Sequence, residues 1–455
     1  MDKLYLKLYD QIRQDIIDKK YVHNQKLPSK RSLAATSGVS IKTVENAYYQ
    51  LMLEGYIYSK EKSGFYVDDV NNYMTPSITA PAVKKEEAPA HNYILDLKSN
   101  KVNRELFPDS IWRKVMREVL SSYDDLLFET VPYNGLYKLR VSISNYLKAS
   151  KSMDVQPDRI IIGAGVEYLY MKLFRLLGND RHYAVAEPSS ANIKALMKAS
   201  GINYSALSLS NDLTDSLTRE NCDIINISPS DNYPTGDILN ISDRIKLLEW
   251  ANEKKERYII EDDFDSEYRH KGMPIKSMQS IDVGGKVIYI NTFSKIIGPS
   301  FRIGYMILPP KLMKRYETSV NFYSCSVPSF EQLALAHFID EGYLDKNINR
   351  IRRNNRMIRE YFLKACRPLI ESGDITISDS EVGSYFLMTF KRGTHEALSK
   401  HFEEHGILIS SVLDSYEKSA PEYERTFVVN YSGIDEEGID TFIDVVKGVV
   451  DSGLA

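Results

Sequence analysis

Apolar positions change their period several times along the chain, and those changes mark out its elements. Tyr5, Leu8, Tyr9, Ile12 and Ile16 recur at helical spacing against a face of Lys, Asp, Arg and Gln, which predicts a first amphipathic helix. After Lys26-Leu27-Pro28-Ser29, where Ser29 is placed to cap a helix, two shorter helical patterns run from Lys30 to about Leu53 and break at Gly38. The second opens on Ser40 as N-cap and sets Val44, Ala47 and Leu51 on one buried stripe, leaving Lys42, Thr43 and Asn46 outside. From Tyr56 to Tyr58 and from Phe65 to Val67 the period falls to two around Lys60-Glu61-Lys62-Ser63-Gly64, which predicts a two-stranded wing. Between Asp69 and His91 no apolar period survives, and Pro76, Pro81 and Pro89 with small residues and a charge cluster read as an exposed linker. Downstream, the runs RIIIGAGV, RHYAVAEP, CDIINISP, RYIIEDDF and KVIYINTF alternate with helix-like segments, which predicts an α/β domain on a largely parallel sheet.

Composition narrows the class. A length of 455 residues leaves room for more than one core at about 150 residues per domain. No apolar stretch approaches the roughly 18 residues that span a bilayer, and the first residues lack the pattern of a secretory leader. A soluble, cytoplasmic chain with no membrane partner is the expectation. Cys222, Cys325 and Cys366 are too few and too scattered for a disulfide framework or a zinc site, so reduced thiols and no metal are expected. The net charge of -4 hides an asymmetry: residues 1–68 carry 11 Lys and Arg against 8 Asp and Glu, a balance of +3, which leaves -7 for the other 387. A basic head precedes an acidic body.

The head has the means to read DNA. A helix entering a major groove near its N-terminal end needs short polar side chains and a cation there, and Ser40, Lys42, Thr43 and Asn46 supply them. LPSKRSLAATSGVSIKTVENAYYQLMLEGYI followed by SGFYV resembles the winged helix-turn-helix of the GntR regulator family. That resemblance covers nearly all of residues 1–68 and implies DNA contacts from Arg31, Ser40 and Thr43, with Gly64 at the wing tip approaching the groove. Ile41 departs from the arginine often found after the serine.

In the body, Lys295 follows the apolar run KVIYIN and is surrounded by Thr292, Ser294, Gly298 and Ser300, with Arg302 seven residues on. Such a lysine can act as a Schiff-base nucleophile toward an aldehyde cofactor while hydroxyls and a guanidinium grip a phosphate. Asp262 ends another strand, where a carboxylate can pair with a pyridinium nitrogen. Gly163-Ala164-Gly165 leads from strand into helix, where backbone N–H groups can bind an anion. Taken in order, the glycine turn, the Pro234-Thr235-Gly236 loop, the acidic strand end and the Ser-Lys pair resemble fold-type I, class I pyridoxal-phosphate aminotransferases over about residues 93–455. With the head, the whole chain resembles the MocR-type (GabR-like and PdxR-like) subgroup of the GntR family. The implied organisation is a head at 1–68, a linker at 69–92 and an aminotransferase-like effector domain at 93–455. The resemblance implies pyridoxal 5'-phosphate on Lys295 and Asp262, with Arg302, Thr292, Ser294, Ala164 and Gly165 holding its phosphate.

Several positions depart from the aminotransferase pattern. Phe264 stands where a tyrosine donates to the cofactor's phenolic oxygen, a role Tyr233 is placed to take over. Ser190 stands where an aromatic ring stacks, and Thr130 where a partner-chain tyrosine is expected. Val428 replaces the arginine that pairs with a substrate α-carboxylate, and Arg425 lies three residues away. The resulting expectation is a DNA-binding transcriptional regulator in which the cofactor or its amine adduct at Lys295 modulates operator binding. Its effector is the vitamin, an amino acid or an amine. The alternative is an active aminotransferase carrying a DNA-binding head. The resemblance also implies a head-to-tail homodimer on double-stranded DNA with paired half-sites.

Overall fold

The computed structural model describes residues 4–70, 93–98, 103–122, 124–209, 212–263, 265–269, 275–379 and 382–453. The expected linker beyond Val70, and Phe264, lie outside the described residues. The chain divides into two compact units, residues 1–90 and 91–455.

In the first unit α1 (Leu4–Ile17), α2 (Lys30–Ser37) and α3 (Ile41–Leu53) precede a hairpin of β1 (Ile57–Lys60) and β2 (Gly64–Val67). Local chemistry sets the boundaries. Ser29 accepts the Ser32 N–H at 3.1 Å to start α2, Gly38 ends it with φ +65°, and Ser40 accepts the Thr43 N–H at 3.1 Å to start α3. Leu8, Tyr9, Ile12 and Ile16 of α1 pack on Val44, Ala47, Tyr48 and Leu51 of α3. Val70 also packs on this core, so the head's packing runs two residues past the expected boundary at 68.

The second unit holds β3 (Leu95–Asp96), β4 (Ile160–Gly163), β5 (His182–Glu187), β6 (Asn203–Ser208), β7 (Ile224–Ile227), β8 (Tyr258–Asp262), β9 (Val287–Thr292), β10 (Gly304–Ile307), β11 (Ile375–Asp379), β12 (Tyr385–Phe390), β13 (Ile407–Leu408), β14 (Ser410–Ser411) and β15 (Thr426–Asn430). Seven strands form the main sheet in the order β4-β10-β9-β8-β7-β5-β6, parallel from β6 to β9, with β10 antiparallel to both β9 and β4. Successive side chains alternate between two cores: Ile160, Ile162, Tyr289 and Tyr305 enter one, Ile161, Ile288, Ile290 and Met306 the other. A sheet covered on both faces explains why its strands read as continuous apolar runs. A second, antiparallel sheet, β11-β12-β15-β14, packs on the helices Tyr343–Glu371 and Glu436–Asp451. The short β3 pairs in parallel with β13.

In such a sheet, side chains for chemistry gather beyond the carboxyl ends of the strands. Here those ends are Glu187, Ile227, Asp262 and Thr292.

Candidate functional site

On the first unit, Arg31, Lys42 and Asn46 are exposed, as is Ile41 at the start of α3. The Ser40 and Thr43 hydroxyls lie 2.8 Å apart, so the two polar groups expected to read DNA also lock the helix start. Lys42 and Lys30 share Glu45, at 3.2 and 2.8 Å. Gly64 begins β2 with φ +118°, and the Lys60 ammonium sits 4.6 Å from the centre of the Tyr66 ring.

On the second unit, a cavity of about 580 Å³ opens at the strand ends, lined by residues from both sheets. That volume falls within the roughly 300–1,000 Å³ of small-molecule sites. Lys295, Asp262, Arg302, Thr292, Ser294 and Tyr233 all line it, and Ser190 lines it as N-cap of the helix Ala191–Ala199. Lys295 lies on the short helix Ser294–Ile297 after β9, and its carbonyl accepts from the Tyr268 hydroxyl at 2.8 Å. Its ammonium rests 2.6 Å from Asp265 Oδ1, a carboxylate with 5% of its side chain exposed. Burial outweighs the lysine cation and keeps the Asp265 carboxyl above the ordinary range. Asp262 accepts from the Tyr170 hydroxyl at 3.0 Å, and Tyr170 in turn accepts from Asn226 at 2.5 Å. Burial pushes the Asp262 carboxyl up to about 6.

Two hydroxyls close the loop between Lys295 and Arg302. Thr292 Oγ1 lies 3.0 Å from Ser294 Oγ, which donates to the Phe301 carbonyl at 2.8 Å. Arg302 pairs with Glu167, and both line the cavity. Backbone approach is tight here: a Cβ on Gly165, which has φ +87°, would stand 2.5 Å from Arg302 Nη2. The two backbone donors expected from the sequence are already engaged, Ala164 N–H by Ser326 Oγ at 2.9 Å and Gly165 N–H by the Gly163 carbonyl at 2.8 Å. The helix begins one residue later, at Val166, so the helical N–H groups without intrahelical acceptors are those of Val166, Glu167 and Tyr168. The reason is the left-handed turn at Gly165, which delays the helix start.

Tyr233 stands edge-on to Tyr385 at 5.3 Å between ring centres, and burial pushes its hydroxyl up to about 12, so it stays a donor at neutral pH. Val428 is buried in β15 between Leu387 and Ser410, while Arg425 donates to the Lys391 carbonyl and does not line the cavity. Thr130 is exposed. Sequence reasoning missed Asp265, Tyr170, Asn226, Glu167, Lys98 and Asp231. Asp231 accepts from the Tyr385 hydroxyl at 2.7 Å, and burial together with Asp265 pushes its carboxyl up to about 7. The run of carboxylates Glu261, Asp262, Asp263 and Asp265 was the one available signal for Asp265.

The donor set fits pyridoxal 5'-phosphate: an amine, a buried carboxylate, and a hydroxyl-guanidinium-helix cluster meet in one cavity of sufficient size. Comparison with known proteins gives the family. The model of bacterial regulatory proteins of the gntR family matches residues 4–67, and that of aminotransferases class I and II matches residues 93–446. The HTH-type transcriptional regulator YhdI of Bacillus subtilis is 32% identical over 98% of this chain and 95% of its own. The probable rhizopine catabolism regulatory protein MocR of Rhizobium meliloti is 28% identical over 99% and 95%. The solved kynurenine aminotransferase of Pyrococcus horikoshii superposes on 84% of this chain and 98% of its own with TM-score 0.68 at 23% identity, which shows the fold. The chain therefore belongs to the MocR-type transcriptional regulators of the GntR family, in which a winged helix-turn-helix is joined to an aminotransferase-like domain. Among the described residues no helix is long and apolar enough to cross a membrane.

Proposed function

We propose that this chain is a cytoplasmic, DNA-binding regulator whose operator affinity is set by pyridoxal 5'-phosphate, or by its adduct with a small amine, held at Lys295. When bound, the cofactor supplies an aldehyde that condenses reversibly with amines and a ring that stores electrons. The chain's own groups divide the work. Lys295 provides the amine, and Asp265 keeps it positioned. Asp262, oriented by Tyr170, offers a carboxylate to a ring nitrogen. Arg302, Thr292, Ser294 and the Val166 and Glu167 N–H groups supply positive potential for a phosphate, and Tyr233 a hydroxyl donor.

The observation that carries this reading is the joining of that cofactor set to Val428, which leaves no arginine on β15 for a substrate carboxylate. A buried bidentate arginine contributes on the order of 1.5–3 kcal/mol per charged hydrogen bond, so its absence weighs against efficient transamination. The head-to-tail homodimer and paired half-sites rest on the family resemblance. The test is a gel shift on DNA flanking the protein's own gene, with apo-protein, with pyridoxal 5'-phosphate, and with Lys295→Ala. A cofactor-dependent change lost in the variant supports the reading; identical shifts in all three refute it.

A working aminotransferase is the second reading, favoured by the retained Lys295 and Asp262. Sustained keto-acid release from a panel of L- and D-amino acids would establish it.

A further inference from the structure

A cation, Lys98, lines the same cavity as Lys295, although Val428 leaves β15 without one. Val428 on β15 faces Ser410 on β14 in the antiparallel ladder. On the other side, β3 and β13 run parallel with Asp96 level with Leu408, and the Leu97 N–H donates to the Leu408 carbonyl at 2.8 Å. Lys98 follows two residues after Asp96, and Ser410 two residues after Leu408. The Leu97 carbonyl accepts from the Asn430 N–H at 3.3 Å, which ties the same stretch to β15. Lys98 and Ser410 both line the cavity. The Lys98 side chain is exposed, and among the described residues its ammonium makes no ion pair. Nearby on the cavity wall, Ser189 Oγ is buried with no hydrogen-bond partner among the described residues, a donor and acceptor left for a ligand or water.

We propose that Lys98, with the Ser410 hydroxyl, receives the carboxylate of an amino-acid effector whose ammonium is directed toward Lys295. This rests on the cofactor reading above and names the effector class: a small molecule carrying both an amine and an acid. A lysine suits the role differently from an arginine. Its ammonium is a point charge on a flexible stem, so it holds a carboxylate without fixing its plane. Such a contact serves recognition more than the strict orientation that efficient turnover needs.

The test uses the full chain loaded with pyridoxal 5'-phosphate and three matched pairs of probes: glycine and methylamine, β-alanine and ethylamine, 4-aminobutyrate and propylamine. Half-saturation is read from the absorbance of the bound cofactor. In the wild type at least one acid-bearing member acts at about tenfold lower concentration than its amine, the size of one charge-assisted contact. Lys98→Ala erases that preference and Lys98→Arg keeps it. A preference that survives in Lys98→Ala, or no preference in any wild-type pair, overturns the proposal while leaving the cofactor reading intact. A wild type that takes up no cofactor sinks both.

Discussion

Lys151 offers the sharpest test of how the site is held in place. Its ammonium is buried between Asp263 at 2.8 Å and Glu267 at 2.7 Å, and it also donates to Ser266 at 2.7 Å and Tyr289 at 2.9 Å. Asp263, Ser266 and Glu267 belong to the same stretch of chain as Asp262 and Asp265. Burial works against both ions, yet the two carboxylates hold the Lys151 ammonium well above its ordinary range, and Lys151 holds Asp263 below its own. Lys151→Met removes the shared cation and leaves two carboxylates buried, a loss of about 3–5 kcal/mol. Both tryptophans, Trp112 and Trp250, are buried in the second unit, so their fluorescence during urea unfolding reads that unit alone. With a slope of about 3 kcal/mol/M the midpoint falls by about 1–1.7 M. The sign with pH is fixed as well. Asp263 has a depressed folded-state value, so its stabilisation in the wild type is present above the unfolded carboxylate range and lost only as pH falls through that lower value. In the variant the uncompensated carboxylates bind protons more readily, so the deficit is largest at pH 7 and shrinks toward about pH 5. A midpoint drop below about 0.3 M, or a deficit unchanged at pH 5, refutes the argument.

Two further expectations concern the head and the cofactor carboxylate. Arg31→Ala weakens binding to every DNA sequence and lowers the salt slope by about one, whereas Asn46→Ala and Thr43→Ala change which bases are preferred. Equal losses from all three on every sequence in a competition gel shift would place the reading face elsewhere. Asp262→Asn lowers cofactor affinity in equilibrium dialysis but stabilises the apo-protein at pH 7 by about 3 kcal/mol, because a carboxyl raised to about 6 is ionised there at a cost. That gain disappears near pH 4, and its absence at pH 7 in urea unfolding would show that Tyr170 already compensates the charge.

What the sequence revealed was what is local. Ser29, Gly38 and Ser40 mark helix ends because each bonds or turns within three residues. Lys295 and Asp262 were legible because a strand end and its neighbours lie together in sequence. The partners were not: Tyr170 reaches Asp262 across 92 residues, and Asp265 meets Lys295 across 30. Lys98 reaches the cavity wall two residues after β3, a two-residue strand paired with β13 that leaves no periodic trace. Similarly β10 is hidden inside the Arg302 loop region, and β6, NYSALS, is too polar to stand out as a run. Ala164 and Gly165, the expected anion donors, precede the helix that begins at Val166, because composition shows a glycine turn but not where the helix after it begins.

Asp231 stands between the surroundings of Lys295 and the second sheet. The Lys295 ammonium offsets Asp265, and Asp231 feels the same pair of charges from the loop after β7. Any ligand that engages the lysine nitrogen alters this balance, and a carboxylate buried in low dielectric responds by taking up a proton or recruiting a donor. The donor already on Asp231 is the Tyr385 hydroxyl, which belongs to β12 in the second sheet. Asp265 at Lys295 and Asp231 at Tyr385 thus set two buried carboxylates between the lysine and the sheet that also carries Ser410 and Val428. A regulator needs such a link, because a ligand shifts an equilibrium only as far as it binds one arrangement better than the other.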